Sequence, residues 1–216
     1  MGILLLDCSS KKTEFGYYDD KGNLHINITN ESGNADDFVY CIKNFFLVKD
    51  ISIKEIDTVS ISNGPGSFTG LRISSAIAKG ICFSLGCKFS EVVTLDVIAN
   101  KSSAEKEIIS LVFSNSKSLE FYYCRYKKNH NELIRISDYK TAGPDEIISN
   151  TESEYLINEP LSDLIPNKYR EFMKDVSDIS NIESLLELTQ KNISEKNFGN
   201  FRTSIPFYMK EFIPKN

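Results

Sequence analysis

A chain of 216 residues with a net charge of −5 has room for one large domain or two small lobes, and it lacks the basic surplus that an autonomous nucleic-acid binder sets against phosphates. Apolar and charged residues, 41% and 25%, stand in the proportions of a soluble globular protein, and no apolar run reaches the roughly 18 residues of a membrane span. The opening Met1-Gly-Ile-Leu-Leu-Leu-Asp7 has no basic leader or long apolar core, so a secretory signal is not expected and a cytoplasmic location is. Period-two alternation marks strands at 3–7, 14–19 and 23–29, with a turn at 20–22. A helix follows over 35–48, where Asp36 and Asp37 sit well against the helix dipole. A strand at 57–62 and a helix at 71–85 complete the order β-β-β-α-β-α. The pattern weakens over 95–104, which sets a boundary between two lobes at 1–100 and 101–216. The second half repeats the order, with strands at 108–114, 119–127 and 132–139, a short helix from Pro144, a strand at 154–158 and a helix at 181–191. Ser180 and Glu183 suit a capping box for that last helix. Residues 161–178, with Pro166, read as an irregular connection.

Between the strand at 57–62 and the helix at 71–85 lie Asn63, Gly64, Pro65, Gly66, Ser67, Phe68, Thr69, Gly70, Leu71 and Arg72. The three glycines let the backbone turn sharply and leave N–H groups uncovered. Ser67 and Thr69 suit a helix N-cap, and a capped N-terminus attracts anions. A Walker loop would end in Gly-Lys-Ser/Thr, whereas Leu71 and Arg72 follow Gly70; a dinucleotide fingerprint would bring its third glycine one residue earlier. Read alone, the stretch is a strand–loop–helix joint with an affinity for phosphate left open.

Residue for residue, this stretch resembles the signature of the TsaB (YeaZ) family, bacterial proteins that help to make threonylcarbamoyladenosine in tRNA. The resemblance implies an α/β chain of two actin-like, ribonuclease H-like lobes, each β-β-β-α-β-α. The doubled element order follows the same plan independently. It further implies a non-catalytic scaffold that binds a TsaD-like paralogue as a heterodimer, with a TsaE-like ATPase as a third member. Alone, such a chain would form a homodimer, touch tRNA only indirectly, and need neither cofactor nor membrane. The end of the chain, from Ile205 to Lys210, is similar to the family's closing Pro-x-Tyr-Leu-Arg. Departures are Cys8 in place of threonine, Asn30-Glu-Ser-Gly33 in place of His-Ser, Ser114-Asn-Ser116 in place of Asp-Ala-Arg, and no Gly-Asp-Gly near Asn158.

The helix at 35–48 is apolar nearly all round. Phe38, Val39, Cys41, Ile42, Phe45, Phe46 and Val48 fill half of the wheel, with Tyr40 and Leu47 opposite, so two faces need cover. One face suits its own sheet; the other suits the second lobe or a partner. The helix at 71–85 is rich in small residues, and Gly80 at mid-helix costs about 1 kcal/mol relative to alanine, which close packing would offset. The resemblance places the partner surface on Phe38, Cys41, Ile42, Phe45, Ala76, Gly80 and Phe83.

No catalytic constellation or metal site is expected. His25 and His130 lack the His-x-x-x-His spacing of the catalytic paralogue. The cysteines at 8, 41, 82, 87 and 124 show no metal spacing; Cys82 and Cys87 lie near a helix end without further ligands close by. Asp7 ends the first strand, where actin-like ATPases keep an aspartate that orients metal-bound nucleotide. The alternative reading is therefore an actin-like ATP-binding kinase or ATPase using Asp7 and the 64–70 glycine loop. Against it, Cys8-Ser9-Ser10 lacks a glycine for close phosphate approach, and Asp7 can instead cap its own turn.

Overall fold

The computed structural model describes residues 1–29, 35–115, 118–130, 132–150, 152–160 and 165–209. In chain order the first half contains β1 (Gly2–Asp7), β2 (Thr13–Tyr18), β3 (Leu24–Thr29), α1 (Ala35–Val48), β4 (Ile56–Ser62), α2 (Phe68–Leu85) and β5 (Lys88–Val92). Next come α3 (Thr94–Asn100), β6 (Ile108–Asn115), β7 (Glu120–Asn129), β8 (Glu132–Arg135), β9 (Lys140–Ala142) and α4 (Pro144–Ile147). The remainder is β10 (Glu154–Ile157), α5 (Asn167–Arg170), β11 (Met173–Asp175) and α6 (Ile182–Ser194). The mixed α/β architecture with two sheets follows the expected order, with β5 added to the first half and β9 and β11 to the second.

The first unit, Met1–Val93 with Ser180–Pro206, is built on the sheet β3-β2-β1-β4-β5. The pairs β1–β2 and β2–β3 are antiparallel, whereas β1–β4 and β4–β5 are parallel. Every residue of β1 is buried, as a central strand covered on both faces must be. On one face Leu4, Leu6, Phe15, Tyr17, Val59, Ile61 and Phe89 meet Phe38, Ile42, Phe45 and Phe46 of α1 and Ala78 and Cys82 of α2. The other face, which sets Glu14, Ser60 and Ser90 beside the apolar Ile3 and Leu5, lies under α6. Thr189 Oγ1 and Ser60 Oγ share a hydrogen bond of 2.7 Å, and Asn192 Nδ2 donates to Ser90 Oγ at 3.1 Å. Gly16 leaves room there for Ile182, whose methyl group a Cβ at position 16 would overlap.

The second unit, centred on Thr94–Ile179, carries the sheet β11-β10-β6-β7-β8, with β9 also paired to β7. Again β6–β7 and β7–β8 are antiparallel, and β6–β10 and β10–β11 parallel. Ile109, Leu111, Phe121, Tyr123, Tyr155 and Ile157 form its core with Ile147 of α4 and Tyr169 of α5.

Four local expectations are corrected. The weak pattern over 95–104 contains a buried helix, α3, with Leu95, Val97, Ile98 and Ala99 fully covered, so it has no polar face to give it a period. The last helix lies far along the second half of the sequence yet packs on the first sheet. Its expected capping box is absent: Asn181 is the N-cap but its side chain makes no capping bond, while Ser180 Oγ accepts the Ile182 N–H at 3.1 Å and donates to Glu14 at 2.8 Å. The span 161–178 holds α5 and β11. Positions 161–164, Asn30-Glu-Ser-Gly33, Ser116 and Lys210 lie outside the described residues.

Candidate functional site

The signature loop leaves β4 at Ser62 and enters α2 at Phe68. Asn63 N–H donates to Val92 O at 2.8 Å, so the loop starts still paired to the neighbouring strand. Gly64 adopts φ 108°, open to glycine at little cost, and the Gly64–Pro65 peptide is cis. Ser67 N–H donates to Ser9 O at 2.8 Å, and Ser67 Oγ accepts the Gly70 N–H at 3.2 Å as the N-cap of α2. A Cβ on Gly66 would overlap the carbonyl oxygen of Ser9, and one on Gly70 that of Cys8. The glycines thus seat the loop backbone against the β1–β2 turn, and the N–H groups of Asn63, Ser67 and Gly70, expected to be uncovered, bond within the unit.

The loop is also tied to the end of the unit. Asn63 Nδ2 donates to Glu91 Oε1 at 2.7 Å and to Ile205 O at 3.2 Å, and Ser204 Oγ donates to the same Glu91 oxygen. The Arg72 guanidinium lies 3.8 Å from the centre of the exposed Phe68 ring, a cation–π contact at the start of α2. Thr69 is exposed beside it.

Asp7 is fully buried. Its carboxylate accepts the Ser9 N–H at 2.9 Å, Ser9 Oγ–H at 2.8 Å, Asn181 Nδ2–H at 3.0 Å and the Ser62 hydroxyl. Four donors on one buried carboxylate occupy the lone pairs that a metal-bound nucleotide would need. The turn-capping reading of Asp7 therefore holds, and the ATP-binding reading is not favoured. Burial pushes the Cys8 thiol far up, which leaves it without nucleophilic character. His25 Nε2 faces Asp19 at 3.3 Å and His130 faces Asn129 at 2.7 Å; among the described residues no group of His, Cys, Asp and Glu could hold a metal.

The seven expected partner residues do not share one surface. Phe38, Ile42 and Phe45 are core, with Phe38 3% and Phe45 8% exposed. Phe45 meets Phe15 and Phe46 edge-on, with ring centres 5.7 and 5.3 Å apart. These three cannot present a surface, because the heavier arc of α1 is what the sheet takes. Cys41 is half-buried. Ala76, Gly80 and Phe83 face outward at successive turns of α2, and Phe83 is 75% exposed. The sequence reading missed Val39, Tyr40, Leu47 and Val48 as the outward apolar residues of α1, although the wheel sets Tyr40 and Leu47 opposite the aromatic arc.

The family model described as "TsaD: tRNA N6-adenosine threonylcarbamoyltransferase" matches residues 35–185. The tRNA threonylcarbamoyladenosine biosynthesis protein TsaB of Buchnera aphidicola subsp. Acyrthosiphon pisum is 27% identical over 179 residues, which are 81% of this chain and 73% of that one. The protein of the same name from Escherichia coli is 23% identical over 153 residues, 68% of this chain and 64% of that one. YeaZ from Pseudomonas aeruginosa superposes with a TM-score of 0.78 over 96% of this chain and 100% of its own, at 16% identity, and so shares the fold. With that model matched over more than half of the chain, and the decapeptide 63–72 seated between β4 and α2, the chain belongs to the family the model describes, in its TsaB (YeaZ) group with the actin-like fold.

Proposed function

We propose that this protein takes part in tRNA threonylcarbamoyladenosine biosynthesis as a non-catalytic scaffold that pairs with a TsaD-like paralogue. The names of its TsaB relatives support the pathway. The observation that carries the pairing is the outer stripe of α2. Among the described residues, nothing outside the local helical turn lies within 4 Å of where a Gly80 Cβ would sit. A mid-helix glycine costs about 1 kcal/mol, and none of the described residues of its own lobe uses the space it leaves. A partner backbone approaching between Ala76 and Phe83 would use it. On the same side of the sheet, Tyr40 and Leu47 of α1 add exposed apolar surface toward the roughly 1,200–2,000 Å² of a stable pairing. A net charge of −5 fits a subunit that leaves tRNA contact to its partner, and a TsaE-like ATPase would complete the assembly.

Co-expression with the same organism's TsaD-like paralogue, one partner tagged, tests the reading. A defined complex should form, and Phe83→Asp or Gly80→Arg should abolish it without lowering the melting temperature of the isolated chain. Phe45→Ala should instead lose about 3–5 kcal/mol of stability, as a core truncation does. A folded protein that ignores the paralogue would reject the pairing.

A further inference from the structure

The end of α2 brings together two side chains that the proposed pairing does not use. Gly86 closes the helix in the left-handed region, φ 67° and ψ 19°, with its N–H on Cys82 O at 2.9 Å. Such a glycine turns the chain so that the following residue lies back over the last turn, usually as an apolar contact. Here the two residues are cysteines: Cys82 and Cys87 are free thiols with their sulfurs 3.6 Å apart. Cys82 is fully covered, whereas Cys87 reaches solvent at the helix end. Among the described residues no group of three His, Cys, Asp or Glu could hold a metal.

We propose that Cys82 and Cys87 form a redox-active dithiol that closes to an intramolecular disulfide on exposure to a peroxide. The accessible sulfur is also the better nucleophile. The hydrogen bond shared by the two sulfurs holds the Cys87 thiol below its usual range, while the same bond and burial push Cys82 up. The Cys87 thiolate attacks a peroxide oxygen; an S–O bond forms, the O–O bond breaks and hydroxide leaves, which gives a sulfenic acid. The Cys82 sulfur then attacks the Cys87 sulfur. The S–S bond forms, the S–O bond breaks, and the departing hydroxide takes the Cys82 proton as water. Two thiols are oxidised by two electrons and one peroxide is reduced. The sulfurs need only close from 3.6 Å to the roughly 2.05 Å of a disulfide, across a turn that already holds them together. A small-molecule dithiol reverses the bond by exchange.

The test is to titrate the reduced, full-length protein with hydrogen peroxide, block residual thiols with N-ethylmaleimide and map the peptides by mass spectrometry. The expected product has lost two hydrogens, links Cys82 to Cys87 before the partly exposed Cys41 is modified, and reverts in dithiothreitol. Cys87→Ser should leave Cys82 fully reduced at the same dose. Under native alkylation Cys87 should react several-fold faster than Cys41. Accumulation of sulfinic acid on Cys87 with Cys82 still free, or disulfides only between molecules, would overturn the proposal.

Discussion

Gly66 and Gly70 hold the signature loop against the backbone of the β1–β2 turn, at a distance no side chain permits. The loop's sequence is thus set in large part by contacts inside the lobe: Gly64 for its φ, Gly66 and Gly70 for proximity, and Ser67 for the cap. Gly70→Ala drives a methyl group into the Cys8 carbonyl, and neither backbone can yield alone. The expected loss is at least the ~1–3 kcal/mol of an overpacked site, read as a lower midpoint in urea. An unchanged midpoint would show that the loop is freer than its contacts imply. Asp7 belongs to the same turn. Its four donors come from Ser9, Ser62 and Asn181, so a carboxylate at the end of β1 here fastens the turn to the face of the sheet under α6 rather than serving a nucleotide.

The elements differ in how openly the sequence announces them. α1 stands at the bounds its apolar period gives, and the loop is legible because glycine at 64, 66 and 70 has few other uses at such density. β5 escapes notice because Lys-Phe-Ser-Glu-Val is short and carries two charges, although it is paired along its whole length with β4. α3 escapes because a helix covered on every side shows no amphipathic period. The wheel of α1 shows two apolar arcs but not which one the sheet takes. Phe15 and Tyr17, presented by β2 toward the aromatic arc, decide that in three dimensions. On α2 the outward stripe leads to a paired expectation. Gly80→Ala should raise the stability of the isolated chain by up to about 1 kcal/mol, since the added methyl meets nothing and helix propensity improves. The same change should weaken pairing with the paralogue, measured by titration calorimetry. Destabilisation of the isolated chain would mean that Gly80 serves its own lobe after all.

At the scale of the whole molecule, the chain leaves the first unit at Val93, builds the second, and returns at Ser180 to cover the other face of the first sheet. α6 supplies Asn181 to Asp7 and Glu14, so the first sheet is complete only after nearly the entire chain has been made. No local signal could announce that return, because its partners lie more than a hundred residues away. The second unit contains a charge whose titration the whole fold feels. Asp96 on α3 accepts hydroxyl hydrogens from Tyr126 at 2.7 Å and Tyr139 at 2.9 Å, yet burial raises its pKa above the ordinary 3.8 despite both donors and the nearby Arg135. The folded state therefore keeps this proton to a higher pH than the unfolded state does. Between the two pKa values the native protein binds more protons, so stability falls as pH rises through that window and levels off above the folded value. Asp96→Asn removes the titration while keeping an oxygen to accept from a tyrosine. The difference in unfolding free energy, wild type minus Asp96→Asn, should be largest below pH 3.8 and decline toward neutrality in urea titrations at stepped pH. A difference that grows with pH would mean that the two tyrosine hydroxyls outweigh burial and that the carboxylate is the form the fold prefers.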